Sequence, residues 1–174
     1  MRKDASLSDT QTPATPPAAV TPEQAMRRAI ALSRENIETG GGPFGAVIVK
    51  DGRIVGEGAN RVVPDGDPTA HAEVTAIRDA CRRLGTHDLS GAVLYTSCEP
   101  CPMCLSATWW ARIGEIAYGN GRADAAAIGF DDAAIYDEVA RPIGERRLPL
   151  RRFLAEEAIT TFQAWAAKAD KVPY

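Results

Sequence analysis

Histidine, glutamate and cysteine side chains of the kinds that can bind a metal ion stand on two separate segments of this chain. His71 and Glu73 stand in the run DPTAHAEV, whereas Cys101 and Cys104 stand in CEPCPMC. Each run comes directly before a segment with helical periodicity, so each motif is predicted to open a helix. In an α/β sheet the helix N-termini gather at the carboxyl ends of the strands, where ligands usually bind. The chain is therefore expected to fold so that these two helix starts face each other.

The donor atoms predict a zinc site. Cys101 and Cys104 lie one helical turn apart and can chelate one ion, and the positive end of the helix dipole favours their thiolate forms. His71 adds a neutral imidazole; this donor set suits tetrahedral zinc and leaves the fourth position for water, as in catalytic zinc sites. Glu73, in the first turn of its helix, is predicted to carry protons for that water.

Other interpretations of the cysteines stay open at this point. A lone CxxC is more often a structural zinc site or a redox pair than a catalytic site. Cys98 extends the run to three evenly spaced cysteines, which resembles part of an iron–sulfur motif, and as a fourth ligand it would close the open position. Cys81 lies on the apolar stripe of a predicted helix and His87 lies in a polar loop. These two are interpreted as a core thiol and a solvated side chain.

Hydrophobic periodicity predicts an α/β fold. The run T-P-E-Q from Thr21 supplies the cap of a first helix, and a hairpin is predicted over 44–60 with its turn at Asp51 and Gly52. The remaining predicted elements are helices over 70–84, 102–113 and 159–167, strands over 92–97, 115–118 and 148–154, and helical turns over 123–127 and 133–139. A hairpin followed by alternating strands and helices indicates a sandwich with a mixed sheet whose later strands are parallel.

Composition limits the function classes. Residues 1–20 are rich in Pro, Ala, Thr and Ser and are predicted to be a disordered tail, outside a folded domain over 21–174. No run approaches the roughly 20 apolar residues of a membrane span, and no secretory signal is recognised, so we expect a cytoplasmic protein. The net charge of -3 and the pI near 5.4 do not predict a nucleic-acid partner, which normally requires a basic face.

H-A-E followed by P-C-x-x-C is the signature of the zinc-dependent nucleobase deaminases. The longer segments GGPFGAVIVKDG, DPTAHAEVTAIR, LYTSCEPCPMC and GFDDAAIY closely resemble bacterial guanine deaminases of the cytidine-deaminase fold, and the resemblance runs from about Thr21 to the C-terminus. It implies a three-layer α/β/α sandwich around a mixed five-stranded sheet. It also implies one zinc ion per subunit and the hydrolysis of a purine base, guanine, to xanthine and ammonia.

The resemblance also implies a role for each site residue. The matched zinc ligands are His71, Cys101 and Cys104, and Glu73 matches the catalytic proton shuttle. The matched substrate-binding positions are Phe44, Asn60, Ala72 through its backbone N–H, Trp110, Asp132 and Tyr174. Asn60 is expected to bind the purine, and Asp132 is expected to accept hydrogen bonds from the guanine edge. For Phe44 and Trp110, core packing is an equal interpretation.

A homodimer is implied as well, with a C-terminal segment that closes the active site and in some members comes from the partner subunit. Tyr174 would then lie over the substrate. Three alternatives stay open: a tRNA adenosine deaminase, a guanosine deaminase and a zinc scaffold without activity. The acidic balance disfavours the tRNA enzyme, the segment AAIYDEVARP disfavours the guanosine enzyme, and Glu73 disfavours a scaffold because a structural zinc site has no use for it.

Overall fold

The first helix begins where its capping residues predict. The computed structural model of the chain describes residues 18–173. Thr21 accepts a hydrogen bond from the backbone N–H of Gln24, and the Gln24 side chain accepts one from the Thr21 N–H. This capping box opens α1 (Pro22–Glu38), which ends just before the three consecutive glycines Gly40, Gly41 and Gly42.

The predicted N-terminal tail is described only at its last residues. Residues 1–17 lie outside the described part of the chain. The backbone N–H of Val20 donates to the Gly52 carbonyl at 2.8 Å. The described chain therefore contacts the hairpin turn slightly before the predicted domain boundary.

The strands form one mixed sheet. They are β1 (Gly45–Lys50), β2 (Arg53–Ala59), β3 (Val93–Cys98) and β4 (Glu115–Asn120), in the order β2-β1-β3-β4. β1 is antiparallel to both β2 and β3, whereas β3 and β4 are parallel. The β1–β2 turn lies at Asp51 and Gly52, whose φ angles of 51° and 71° are those of a tight two-residue hairpin. The predicted hairpin and mixed sheet are confirmed.

Helices cover both faces of this sheet. Gly45 of β1 faces α1, whereas Gly56 and Gly58 of β2 face α3 (Ala72–Leu84). α4 (Pro102–Trp110) packs beside α3 on the same face. The result is an α/β/α arrangement of three layers, with the larger core on the α3 side. That core contains Ile48, Leu89 and Leu94, all fully buried.

Glycine on the strand and alanine on the helix bring α3 unusually close to β2. A Cβ atom at Gly56 would lie 2.5 Å from the carbonyl oxygen of Ala76, and one at Gly58 would overlap the carbonyl oxygen of Ala72. Ala72, Ala76 and Ala80 are fully buried at this contact. Because backbone packs almost directly on backbone, the N-terminus of α3 has one fixed position above the sheet.

The C-terminal third forms helices without burying any residue. α5 (Arg122–Ala127), α6 (Ala133–Ala140), a 3₁₀ turn (Ile143–Glu145) and α7 (Ala155–Ala167) follow β4. No residue of 121–173 is buried. α7 exposes Ile159, Phe162 and Trp165 along one side. None of the helices in the described chain is long and apolar enough to cross a bilayer.

Two predictions about the fold are wrong. The described residues form a sheet of four strands and not five, because the segment 148–154 pairs with no strand. Pro149 cannot donate to a strand ladder, and Leu148 and Leu150 stay exposed. Between the predicted hairpin over 44–60 and the predicted helix over 70–84, where no element is predicted, the chain forms a short helix, α2 (Val62–Asp65), which ends at Gly66 with a φ of 62°. A single helical turn is too short to give a periodic pattern.

Candidate active site

The two sequence motifs converge as predicted. His71 is the residue before α3 and Cys101 the residue before α4, both have extended backbones, and neither side chain caps its helix. The Nδ1 atom of His71 lies 3.5 Å from the Sγ of Cys101 and 3.5 Å from the Sγ of Cys104. All three donor atoms lie within 4.8 Å of one another. Three side chains that are not needed for capping thus share one space.

This spacing fits a tetrahedral zinc ion. Zn–S bonds of about 2.3 Å and Zn–N bonds of about 2.0–2.1 Å at tetrahedral angles separate the nitrogen from each sulfur by about 3.5 Å, as observed. Cys98 lies outside this group: its Sγ contacts the Gly121 carbonyl at 3.9 Å, and burial raises its pKa to about 11. The group therefore offers three ligands and one open position.

The ligand side chains influence one another's charge. A hydrogen bond from Cys104, with a further contribution from His71, lowers the pKa of Cys101 to about 4. The pKa of Cys104 is raised because this thiol donates to Cys101 and is buried. Contact with Cys101 raises the pKa of His71. One thiolate is therefore already favoured at neutral pH, and it attracts a cation to the site.

Glu73 is a buried carboxyl group on the wall of the same space. Only 6% of its surface is exposed, and its Oε1 accepts a hydrogen bond of 3.1 Å from the Thr96 hydroxyl. Burial raises the pKa of Glu73. A carboxyl group that is held by hydrogen bonding and has a raised pKa is suited to accept a proton and return it.

A cavity of about 450 Å³ joins the metal-binding side chains to most of the predicted substrate residues. The predicted residues that line it are Phe44, Asn60, His71, Ala72, Glu73, Cys101 and Asp132. Residues that the sequence analysis did not single out also line it; among them are Val62, Val63, Glu99, Arg122, Phe130 and Ile135. The structure therefore brings the two sets of predicted residues to one site.

Hydrogen bonds from Asn36 and from the backbone of Val62 hold Asn60 in place. The Asn60 carbonyl accepts a hydrogen bond of 2.7 Å from the side chain of Asn36, which also donates to the Gly42 carbonyl at 2.8 Å. The Asn60 Oδ1 accepts one from the Val62 N–H at 3.2 Å. Because Oδ1 has this local donor, the Nδ2 group is the part of Asn60 available to donate to a ligand.

Two consecutive aspartates have different surroundings at the start of α6. Asp131 Oδ1 accepts a hydrogen bond from the Ala133 N–H at 2.9 Å, whereas the Asp132 side chain makes no capping bond. Asp132 Oδ1 instead lies 3.5 Å from the Nε of Arg122. Burial raises the pKa of Asp132, and the positive charge of Arg122 opposes this shift. The carboxylate of Asp132 is thereby left at the cavity wall.

The aromatic residues differ in their position relative to the cavity. Phe44 and Phe130 both line the cavity and contact each other edge to face, with ring centroids 4.9 Å apart. Trp110 is 67% exposed and does not reach the cavity of its own chain. Tyr174 lies outside the described residues. Phe130 is a residue that the sequence analysis missed, although it stands in the quoted segment GFDD.

Three further side chains support the site and were not predicted. Thr96 fixes Glu73, and Tyr136 donates a hydrogen bond of 3.1 Å to the Pro100 carbonyl. The guanidinium carbon of Arg122 lies 3.9 Å from the centroid of the Tyr136 ring. Arg122 lies two residues after the end of β4, at a strand carboxyl end, and this position was a signal that could have identified it. No comparable signal marks Thr96 or Tyr136.

The fold and this ligand set define a zinc-dependent deaminase. A family profile described as the cytidine and deoxycytidylate deaminase zinc-binding region matches residues 20–120, and the chain belongs to this family. Within it, the chain is 52% identical to the guanine deaminase of Bacillus subtilis (strain 168) over 153 residues, which cover 87% of this chain and 98% of the relative. The predicted family, zinc chemistry and α/β class are therefore confirmed.

Two further comparisons differ in how much of this chain the similarity covers. The X-ray structure of guanine deaminase from Bacillus subtilis superposes with a TM-score of 0.86 at 51% identity, covering 89% of this chain and 99% of that one. A tRNA-specific adenosine deaminase from Aquifex aeolicus (strain VF5) is 43% identical over 96 residues, which cover 55% of this chain and 64% of that protein. The similarity to the guanine enzyme extends over far more of the chain.

Proposed function

We propose that this protein hydrolyses guanine to xanthine and ammonia with one zinc ion per subunit, in purine salvage or catabolism. One observation carries the proposal: a single cavity is lined both by His71, Cys101 and Glu73 and by Asn60 and Asp132. The similarity to a guanine deaminase over 98% of that protein's length supports guanine as the substrate.

Each residue then has a defined task. Zinc, when held by the three ligands, supplies Lewis-acid activation of a water molecule. Asn60 donates to a ring acceptor of guanine, as does the Ala72 N–H, which has no acceptor within its helix. Asp132 accepts from N1–H and the exocyclic amine, so C2 is oriented toward the metal-binding side chains.

Glu73 moves the proton in this scheme. Its carboxylate carries one proton of the attacking water to ring N3, and it then carries the second proton, from the hydroxyl group on C2, to the departing amine. The C2–N bond breaks, ammonia leaves, and C2 keeps the oxygen of the water. The hydrogen bond from Thr96 keeps Oε1 in place during these transfers. Phe44 and Phe130 enclose the ring plane on the apolar side of the cavity.

A substrate panel tests the proposal. The zinc-loaded protein is incubated with guanine, guanosine, adenine, an aminotriazine and a tRNA anticodon stem-loop, and both ammonia and product masses are measured. We expect rapid ammonia release from guanine with the mass of xanthine. Preferred turnover of guanosine or of the stem-loop adenosine would assign one of the alternative enzymes. Zinc binding without ammonia release from any compound would assign a scaffold.

We also propose that 21–174 is one deaminase domain and that the protein is a homodimer in which the C-terminal segment closes an active site. The exposed apolar side of α7, formed by Ile159, Phe162 and Trp165, supports a covering surface in a second copy. Acidic residues outnumber basic ones over 18–140, whereas basic residues outnumber acidic ones over 141–173. Each copy can thus offer a basic segment to the acidic surface of the other.

In such a dimer, two of the predicted substrate-binding residues, Trp110 and Tyr174, could contact the substrate in the other subunit. Trp110 does not line the cavity of its own chain, and Tyr174 follows the exposed C-terminal segment. In a second copy's cavity either ring could cover the purine. We propose a cytoplasmic location as well, which the need of the zinc-binding thiols for a reducing compartment supports.

A further inference from the structure

Arg122 is held at the cavity by contacts on several sides. Its backbone N–H donates to Glu99 Oε2 at 3.3 Å, and its guanidinium carbon lies 3.9 Å from the centroid of the Tyr136 ring. Its Nε lies 3.5 Å from Asp132 Oδ1. A guanidinium stacked on an aromatic ring loses much of its rotational freedom, so its donors keep a fixed direction.

The Nε atom of Arg122 is buried and has no hydrogen-bond partner, and it is the one such side-chain atom found in the described part of the chain. A buried donor without a partner is costly, and native proteins keep few of them. Asp132 Oδ1 is an acceptor that a shift of a few tenths of an ångström would bring within hydrogen-bond distance. This acceptor is available because Asp131, and not Asp132, bonds the turn at the start of α6.

Tyr136 explains why the guanidinium is directed at Asp132. The two residues are four positions apart at the start of α6 and so lie on the same side of the helix. The Tyr136 hydroxyl donates to the Pro100 carbonyl, next to the ligand Cys101. A side chain that stacks on Tyr136 therefore lies between the loop that carries the zinc ligand and the carboxylate of Asp132.

We propose that Arg122 is a positioning residue for substrate recognition, which fixes the Asp132 carboxylate so that it accepts the N–H donors of the purine. This inference rests on the proposed function. The charges around Asp132 support it, because burial and the negative groups of Cys101 and Glu99 all raise the pKa of Asp132, whereas Arg122 lowers it. A protonated Asp132 would present a donor to the donors of guanine.

A double-mutant cycle tests the inference. The variants R122Q, D132N and the double variant are compared in guanine kinetics and in calorimetric binding of hypoxanthine, a purine that keeps N1–H but has no 2-amino group to release. We expect R122Q to raise both KM and the hypoxanthine Kd about ten-fold, with kcat within about three-fold of wild type and zinc content unchanged. In the D132N background, R122Q should add less than about two-fold.

Two further variants define the specificity of the effect. R112Q removes an arginine from an exposed ion pair with Asp88 at 3.6 Å and should behave as wild type. R122K keeps the charge without the planar fork and should recover only part of the affinity. In R122Q the acid limb of kcat/KM should move to higher pH, since Asp132 loses the cation that keeps it ionised. A merely structural role of Arg122 would not move this limb.

The outcomes separate this inference from the proposed function. Effects of R122Q and D132N that multiply fully in the cycle, or an unchanged acid limb, would overturn the role of Arg122. A wild-type protein that releases no ammonia from guanine would overturn the proposed function, while the hypoxanthine cycle would still measure the coupling of Arg122 to Asp132. A wild-type protein that binds neither purine would overturn both.

Discussion

Residues 18–120 and residues 121–173 differ in how they are stabilised. Every buried residue of the described chain lies in the first region, which also contains the zinc-binding group and Glu73. The second region buries no residue, yet it contributes Arg122 and Asp132 to the cavity. The family profile ends at residue 120, the boundary between the two regions.

This difference indicates a division of labour within one cavity. The zinc-binding side chains and Glu73 lie at the ends of elements that belong to the core. Dense packing there fixes their positions to within the fraction of an ångström that catalysis requires. The groups proposed to recognise the substrate lie on short helices with few buried contacts, where sequence changes cost little stability. Members of one family can therefore share a reaction and differ in substrate.

Replacing Glu73 by Ala should have the largest effect. Loss of the proton carrier should lower kcat for guanine roughly 10²–10⁴-fold, while the zinc content stays near one per subunit because the three ligands remain. Ammonia release and metal analysis check this result. The exposed Glu38 provides a control, since Glu38→Ala should retain wild-type kcat. Near-normal ammonia release from the Glu73 variant would show that Glu73 is not the proton carrier, so that the first region would not supply this catalytic group.

Replacing both Phe162 and Trp165 by Asp should disrupt the proposed dimer. Two charges on the apolar side of α7 should leave a single species near 18.6 kDa, where the wild type should elute at twice that mass. Guanine turnover should fall about 10²-fold, because a misplaced closing segment no longer holds the substrate. Light scattering after gel filtration measures the mass. Thr160→Asp, on another side of α7, should stay dimeric, and a monomeric wild type would contradict the proposal.

Asp132→Ala should affect recognition and leave the chemical groups intact. We expect KM for guanine to rise about 10- to 100-fold, as for the loss of a hydrogen bond to a charged acceptor, with unchanged zinc content. The matched control is Asp131→Asn, since an asparagine can accept the same bond from the Ala133 N–H. Parallel loss of zinc and of affinity in the Asp132 variant would instead indicate a structural role.

A pair of glycine substitutions should show the smallest effects and the clearest contrast in packing. Gly56→Ala puts a methyl group 2.5 Å from the Ala76 carbonyl oxygen and should lower the free energy of unfolding by about 1–3 kcal/mol. Gly144→Ala has no atom within 4 Å of the new methyl group and should change this free energy by less than about 0.5 kcal/mol. Thermal unfolding measures both. Equal losses would show that the second region is packed as tightly as the first.

The first region was largely predictable from sequence, because its signals are local. Each of these signals determines the conformation of the residues next to it. They are the capping box at Thr21, the turn at Asp51 and Gly52, and the two motifs that open helices. Four residues on two motifs were enough to locate the metal-binding group, because thiolate, imidazole and carboxylate chemistry restricts their arrangement.

The second region was predictable only in part. Its helices follow from periodicity, but the segment 148–154, which is predicted as a fifth strand, pairs with no strand, and Pro149 cannot donate to a strand ladder. The contact of Arg122 with Tyr136 and Asp132 depends on the path of the chain between α5 and α6; Gly129 marks a turn there, but a local turn signal does not specify how the two helices pack. The position of Trp110 away from its own cavity likewise depends on the tertiary fold.

The close contact of α3 with β2 has a consequence for how the protein acquires its metal. In small zinc domains the ion supplies the energy that folds the chain, so the unloaded form is unfolded. Here alanine and glycine backbones already fix the start of α3, and His71 is the residue that precedes it. We therefore expect that a chelator removes the zinc without unfolding the protein, because the start of α3 is fixed by packing and not by the metal.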